Sequence, residues 1–348
     1  AHSWSAKAER KAEMQSTKRQ TELDILRLLA ILAVIAIHSG GHTDISIANI
    51  SFSRHVIVAA LVWCVPVFFM ISGRFFLDPG RNVSLKKILT KYVPHIAVAF
   101  LLWSAVYTVY YKLTGSYDGL NTFGVLSQFI EGPYHFWYLY TLIGLYLITP
   151  FLRKIAENDE LLIYFLILFA ALNVTFEYLI YLPKIGSVIR SFAEKFNLNM
   201  LTGYVGYFML GYLLWHIKDK ISKRWEIAIY AVGAVMLVGT VAAEALVSPE
   251  LRDTDFVKQY MKPNVVIFSS AIYLFFIKRL SRIEYSEKTV KIFAFLTEMG
   301  FGVYCVHAIV NELMPGSIQV IRVICIYLAS LAVTYLIRKV PYIGKKIT

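Results

Sequence analysis

An arginine and a histidine eleven positions apart in an apolar run are the residues of this sequence best placed to do chemistry. In LDILRLLAILAVIAIHSG, Arg27 and His38 bracket the run. Eleven steps of about 100° come within about 20° of three full helical turns, so both side chains share one helix face. At about 1.5 Å per residue they lie roughly 16 Å apart along the axis and cannot touch. A guanidinium keeps its charge when desolvated and grips phosphate oxygens two at a time. An imidazole gives or takes a proton near neutral pH. Taken alone, Arg27 can snorkel to the headgroups with Asp24 as partner, and a histidine at a span's end can be an interfacial residue.

Further residues of the same kind follow. The run VWCVPVFFMISGRFFL ends in Ser72, Gly73 and Arg74, and Arg81, Lys86, Lys87 and Lys91 come next. With Arg27 they form a cationic pole suited to a phosphate-bearing ligand. The segment EGPYHFWYLY places Glu131 and His135 near the other interface, with Trp137 and Tyr140 just inside. In FLTEMGFGVYCVHAIVNEL, Glu298 is expected at mid-depth, with Tyr304 and His307 one turn apart nearer that same interface. An aromatic belt accounts for Tyr138 and Tyr146, and His307 also suits an interhelical hydrogen bond.

The elements that carry these residues must cross a bilayer. Of the 348 residues 57% are hydrophobic and 17% charged, against about 25% charged in soluble domains. The long apolar runs exclude an ordinary cytosolic enzyme, a collagen-like or disordered chain, and a coiled coil. Ten runs suit a span of about 20 residues: 23–39, 56–73, 92–111, 134–152, 161–181, 200–217, 226–247, 263–277, 292–313 and 319–337. With both termini cytoplasmic, the inner segments hold 25 Lys and Arg and the outer loops 8, leaving only Arg27 and Arg322 within spans. That bias follows the positive-inside rule. The expected fold is therefore an all-α polytopic membrane protein of about ten transmembrane helices with N- and C-termini cytoplasmic.

Residues 1–20 form a polar segment, and 21–348 one membrane domain without internal repeat or low-complexity tract. Met14 offers a native start, so the stretch before it is expected to be in part an added remnant, and the first span to remain as an uncleaved anchor. Cys64, Cys305 and Cys325 lie in apolar runs with no CxxC pair, so neither disulfide framework nor metal site is signalled. Glycine-rich phosphate loops, zinc spacings and GxSxG elbows are absent. The net charge of +12 does not point to nucleic acid, because basic residues do not interleave with aromatics on any water-facing segment.

Six elements occur in order: Arg27-x10-His38, PVFFMISGRFF at 66–76, the basic run through Lys91, HFWYLYTLIGLYLITP at 135–150, GYFMLGYLL at 206–214 and FGVYCVHAIV at 301–310. Together they resemble the acyltransferase-3 family of bacterial integral-membrane O- and N-acyltransferases, over nearly the whole chain after residue 20. The resemblance implies a multi-pass protein of the bacterial inner membrane. It implies transfer of an acyl group, usually acetyl from cytoplasmic acetyl-CoA, to a hydroxyl or amine of a cell-envelope or extracytoplasmic acceptor such as a sugar, with no metal.

On that reading His38, Arg27 and Glu298 are the catalytic candidates. His38 serves as base or nucleophile. Arg27, Trp137 or Tyr140 steadies the thioester oxyanion, and Glu131 or Glu298 orients an imidazole. Arg27, Arg74 and Lys91 seat the phosphates of CoA. Glu131, His135, Trp137, Tyr140, Tyr304 and His307 line the acceptor side. The oligomeric state is open, a dimer being one alternative. A different reading within the same family is an amino-acid transporter module, like the membrane part of vancomycin-resistance serine racemases.

Overall fold

In lipid each backbone polar group must be satisfied within its own segment, which makes helices the default for such a sequence. The computed structural model describes residues 19–39, 45–47, 50–52, 54–174, 179–180, 182, 184–195, 203–246, 258–314, 316, 320–342 and 344–348. The start expected at Met14 lies outside the described residues. These are helices and turns apart from one antiparallel hairpin, β1 (Ile45–Ile47) and β2 (Ile50–Phe52), with Ser46 opposite Ser51. The hairpin is a small departure from the all-α expectation.

Helix α1 spans Thr21–His38, α2 Arg54–Leu61 and α3 Cys64–Leu77. Next come α4 (Leu85–Leu113), α5 (Thr122–Glu131), α6 (Tyr134–Ala156), α7 (Asp159–Leu168) and α8 (Gly186–Lys195). The last part holds α9 (Tyr204–Ile217), α10 (Lys223–Leu246), α11 (Pro263–Lys278), α12 (Glu287–Leu313), α13 (Val320–Arg338) and the short α14 (Gly344–Ile347). Local chemistry sets several starts. The side chains of Asn121, Asn158 and Ser286 accept from backbone N–H groups three residues on, at 2.8, 3.0 and 3.2 Å, satisfying orphan donors of α5, α7 and α12.

Among the described residues seven helices are long and apolar enough to cross a bilayer: His55–Leu77, which joins α2 and α3, then α4, α6, α10, the α11 segment Pro263–Arg282, α12 and α13. Three of the ten expected spans are of another kind. Helix α1 carries Glu22, Asp24 and Arg27 in 18 residues, and α9 has 14 residues. Helix α7 passes into a wider π-type turn over Phe169–Val174, and 175–178 lie outside the described residues. Enclosure explains α1, which packs on α3, α11, α12 and α13 and so needs little lipid-facing surface.

Helices α3 and α9 approach each other backbone to backbone. A Cβ on Gly73 would collide with the carbonyl of Phe208, and one on Gly211 with the backbone of Met70. Glycine on both helices thus lets the backbones touch, as small residues do in membranes. This contact holds α3, one wall of the site, in place. Gly211→Ala is expected to lower stability by about 1–3 kcal/mol through overpacking, read as a lower Tm in detergent. Gly239→Ala, on α10 with open space around it, is expected to leave Tm unchanged. Equal Tm values for the two variants would contradict this packing.

Candidate active site

Helix α1 presents Arg27, Ile31, Val34 and His38, at i, i+4, i+7 and i+11, to one cavity of about 320 Å³. Phe68 and Ser72 of α3 and His135, Trp137 and Tyr138 of α6 form further walls. Thr297, Gly300, Phe301 and Tyr304 of α12 close it with the same one-face spacing. The cavity has an arginine at one end and imidazoles at the other.

At the Arg27 end the positive charges outnumber their partners. Asp24 is nearly fully buried and bridges two guanidiniums, Arg27 at 3.2 Å and Arg19 at 2.6 Å. Arg27, Arg74 and Arg81 gather round the ring of Phe75, at 4.9, 5.8 and 4.3 Å from its centroid. Arg74 is buried, pairs with Asp78 at 2.5 Å and lies 3.8 Å over the ring of Trp215. In the connecting loop, burial first and then the nearby Arg74 push the Arg81 guanidinium below its ordinary pKa. Crowded like charges of this kind favour an anion between them.

At the other end three histidines meet. Ring centroids of His38 and His307 are 5.7 Å apart, of His38 and His135 6.4 Å, and of His135 and His307 4.9 Å. The Nδ1 of His307 lies 2.6 Å from the Tyr304 carbonyl oxygen. A carbonyl only accepts, so Nδ1 carries the proton and Nε2 is left as an acceptor. That Nε2 and both ring nitrogens of His135 are buried without a hydrogen-bond partner among the described residues. Buried polar atoms are nearly always paired, so a water or ligand hydroxyl belongs here. The Tyr304 hydroxyl donates to the His135 carbonyl at 2.5 Å, which ties α12 to the start of α6.

The backbone around His38 is clamped. Asn311 Nδ2 donates to the His38 carbonyl at 3.0 Å. Arg322, expected only as a charge within a span, donates to the carbonyls of Ser39, Asn311 and Met314 and to Asn311 Oδ1. It thereby caps the ends of α1 and α12 together. Asn311 went unnoticed in the sequence, although it sits one turn beyond His307 on the same helix.

Of the sequence candidates, Arg27, His38, His135, Trp137 and Tyr304 line the cavity, and His307 packs against its histidines. Arg74 joins the cluster at the Arg27 end. Four others are not brought in. The Glu298 side chain is 56% exposed and faces Arg19 at 3.7 Å, because it is one step of about 100° off the Thr297, Gly300, Phe301 face. Glu131 is exposed and accepts from Ser127 at 3.0 Å. Tyr140 is on the outer side of α6 beside Phe100, its hydroxyl bonded to the Ile130 carbonyl. Lys91 is exposed, over the ring of Tyr92 at 5.8 Å. Tyr138, Ser72, Thr297 and Tyr260 line the cavity in their place.

A family model described as an acyltransferase domain matches residues 20–339. The chain belongs to the acyltransferase-3 family. Comparison with curated proteins and with solved structures returns no match. The match begins just before α1 and ends one residue after α13, so both ends of the cavity lie within the acyltransferase domain.

For an acyltransferase the cavity must admit polar reactants, so the Arg27–His38 face has to be wet. In a background without native cysteines, Val34→Cys is expected to react with a small water-soluble thiol reagent. Leu29→Cys, on the outer side of α1, is expected to be at least about tenfold slower, since only the thiolate reacts and lipid suppresses it. Equal rates would contradict a hydrated face.

Proposed function

We propose that this membrane acyltransferase moves an acetyl group from cytoplasmic acetyl-CoA to a hydroxyl or amine of an extracytoplasmic acceptor. The single observation that carries this reading is the shared cavity, with its cationic cluster at Arg27 and its histidines about three helical turns away. The separation, roughly 16 Å along α1, matches an extended pantetheine arm between phosphates and thioester. On this reading the protein has ten transmembrane helices in a bacterial inner membrane, with both termini cytoplasmic. The loop distribution of Lys and Arg supports that orientation, with the Arg27 end inside.

The mechanism follows from what each side chain offers. The Arg27 and Arg74 guanidiniums hold donor phosphates, and the thioester reaches the histidines. His38 mediates transfer by taking the proton of the acceptor hydroxyl or by carrying the acyl group on its ring. In either case a C–O or C–N bond to the acceptor replaces the C–S bond, and the departing thiolate takes up a proton. The Nε2 of His307, without a hydrogen-bond partner among the described residues, is an acceptor for a second proton position beside His38. The clamp of Asn311 and Arg322 fixes the His38 backbone so that its ring keeps one approach.

Purified protein given labelled acetyl-CoA tests this. Acceptor acetylation, thioester hydrolysis or a labelled histidine is expected. Replacement of a catalytic imidazole removes about 10²–10⁴-fold of rate, so His38→Ala is expected to lose transfer by that factor with wild-type Tm and membrane insertion. Retention of full activity by His38→Ala would remove that residue from the mechanism. Solute accumulation in proteoliposomes without CoA turnover would replace the enzyme with a carrier.

A further inference from the structure

A second cavity, of about 760 Å³, lies at the Arg27 end of the bundle. Its walls are the start of α1, the end of α9 with the turn that follows, and the connection from α11 to α12. We propose that it seats the phosphorylated adenosine end of the acyl donor, a 3′-phosphoadenosine diphosphate, while the pantetheine arm passes Arg27 toward the histidines. This inference rests on the reading of acyl-CoA as donor. It moves the nucleotide away from Lys91, which is exposed on the surface of α4.

Adjacency comes first. Arg19 lines the second cavity and Arg27 the first, and the two share the carboxylate of Asp24 at 2.6 and 3.2 Å. Glu298, the second acid near Arg19 at 3.7 Å, is 56% exposed, so the two guanidiniums are only partly compensated where the cavities adjoin. Arg74 and Lys218 add two further cations there, paired with Asp78 and Asp219 and both lying over the ring of Trp215, at 3.8 and 4.7 Å. A ligand with phosphates several bonds apart fits a row of cations better than a single anion does.

The walls show which cations are available. Lys278 is buried, and its Nζ donates to the carbonyls of Lys218 and Ile221 at 2.6 and 2.5 Å, so it builds the turn after α9. Arg282 is exposed to the cavity and has no ion pair among the described residues. Lys218 pairs with Asp219 at 3.2 Å, a carboxylate that is 81% exposed. Glu22 and Glu284 also line the space, so four cations face three acids there.

Two further groups fit a purine. The Gln20 amide oxygen lines the cavity, buried and without a hydrogen-bond partner among the described residues. A primary amide matches the amino and ring-nitrogen edge of adenine with one acceptor and one donor. The ring of Tyr285, half-buried in the same wall, offers a face for stacking.

Binding of CoA, 3′-dephospho-CoA, pantetheine and adenosine 3′,5′-bisphosphate to the full-length protein in detergent tests the seat without an acceptor. CoA is expected to bind tighter than 3′-dephospho-CoA, and the bisphosphate to displace CoA. Arg282→Gln is expected to weaken CoA about tenfold or more and leave pantetheine unchanged. Lys218→Gln provides a second variant, with Tm as the check on folding. Unchanged CoA affinity in both variants, or equal losses for CoA and pantetheine, would overturn the seat while leaving acyl-CoA as donor. If CoA itself does not bind the wild-type protein, the donor reading falls and the seat with it.

Discussion

A guanidinium buried among apolar helices is tolerated only when protein surrounds it with charge partners and polar space, and Arg27 meets that condition through Asp24. The cost of an uncompensated charge at depth is several kcal/mol, about 2.5–3.5 on insertion scales. Asp24 supplies the counter-charge, and α3, α11, α12 and α13 cover α1 apart from its Leu29 side. Asp24 also holds Arg19, so one buried carboxylate fixes two cations. Each other feature of the site depends on this pairing, because it fixes which face of α1 looks inward. Once Arg27 faces the cavity, helical geometry brings His38 to the same cavity three turns on.

The two ends are built by different physics. At the Arg27 end, charge exceeds its compensation, and aromatic rings hold the guanidiniums at fixed heights. At the His38 end polar atoms are underpaired instead. His135 and His307 keep ring nitrogens without a hydrogen-bond partner among the described residues, and hydrogen bonds to main-chain carbonyls hold the surrounding backbone. A rigid frame with open ring nitrogens is a preorganised place for proton transfer. The glycine contact of α3 with α9 adds to that rigidity by fixing the wall opposite α1.

Much of this was legible in the sequence where one helix carries the information. The spacing of Arg27 and His38 on α1, and of Tyr304 and His307 on α12, needs only the helical period. Rotation was not legible in the same way. Glu298 points at Arg19 and Tyr140 at Phe100, since the facing direction of each helix is set by neighbours distant in sequence. Lys91 is exposed, outside the cationic cluster. Asn311 and Arg322 act on main-chain carbonyls of another helix, contacts for which sequence spacing has no signature. The span count was blurred for a related reason. Helix α1 is enclosed by protein, so it is free of the length and composition that lipid contact demands.

The central claim is that Arg27 and His38 serve one ligand through one passage. The most direct measurement is a structure of the protein with a hydrolysis-resistant acetyl-CoA analogue. The expected result is an arm running from the Arg27 cluster past Val34 and Ser72, with its acyl carbonyl within about 3 Å of a histidine ring nitrogen or one water away. An analogue bound on the outer surface of the bundle, with no density between Arg27 and His38, would contradict the claim.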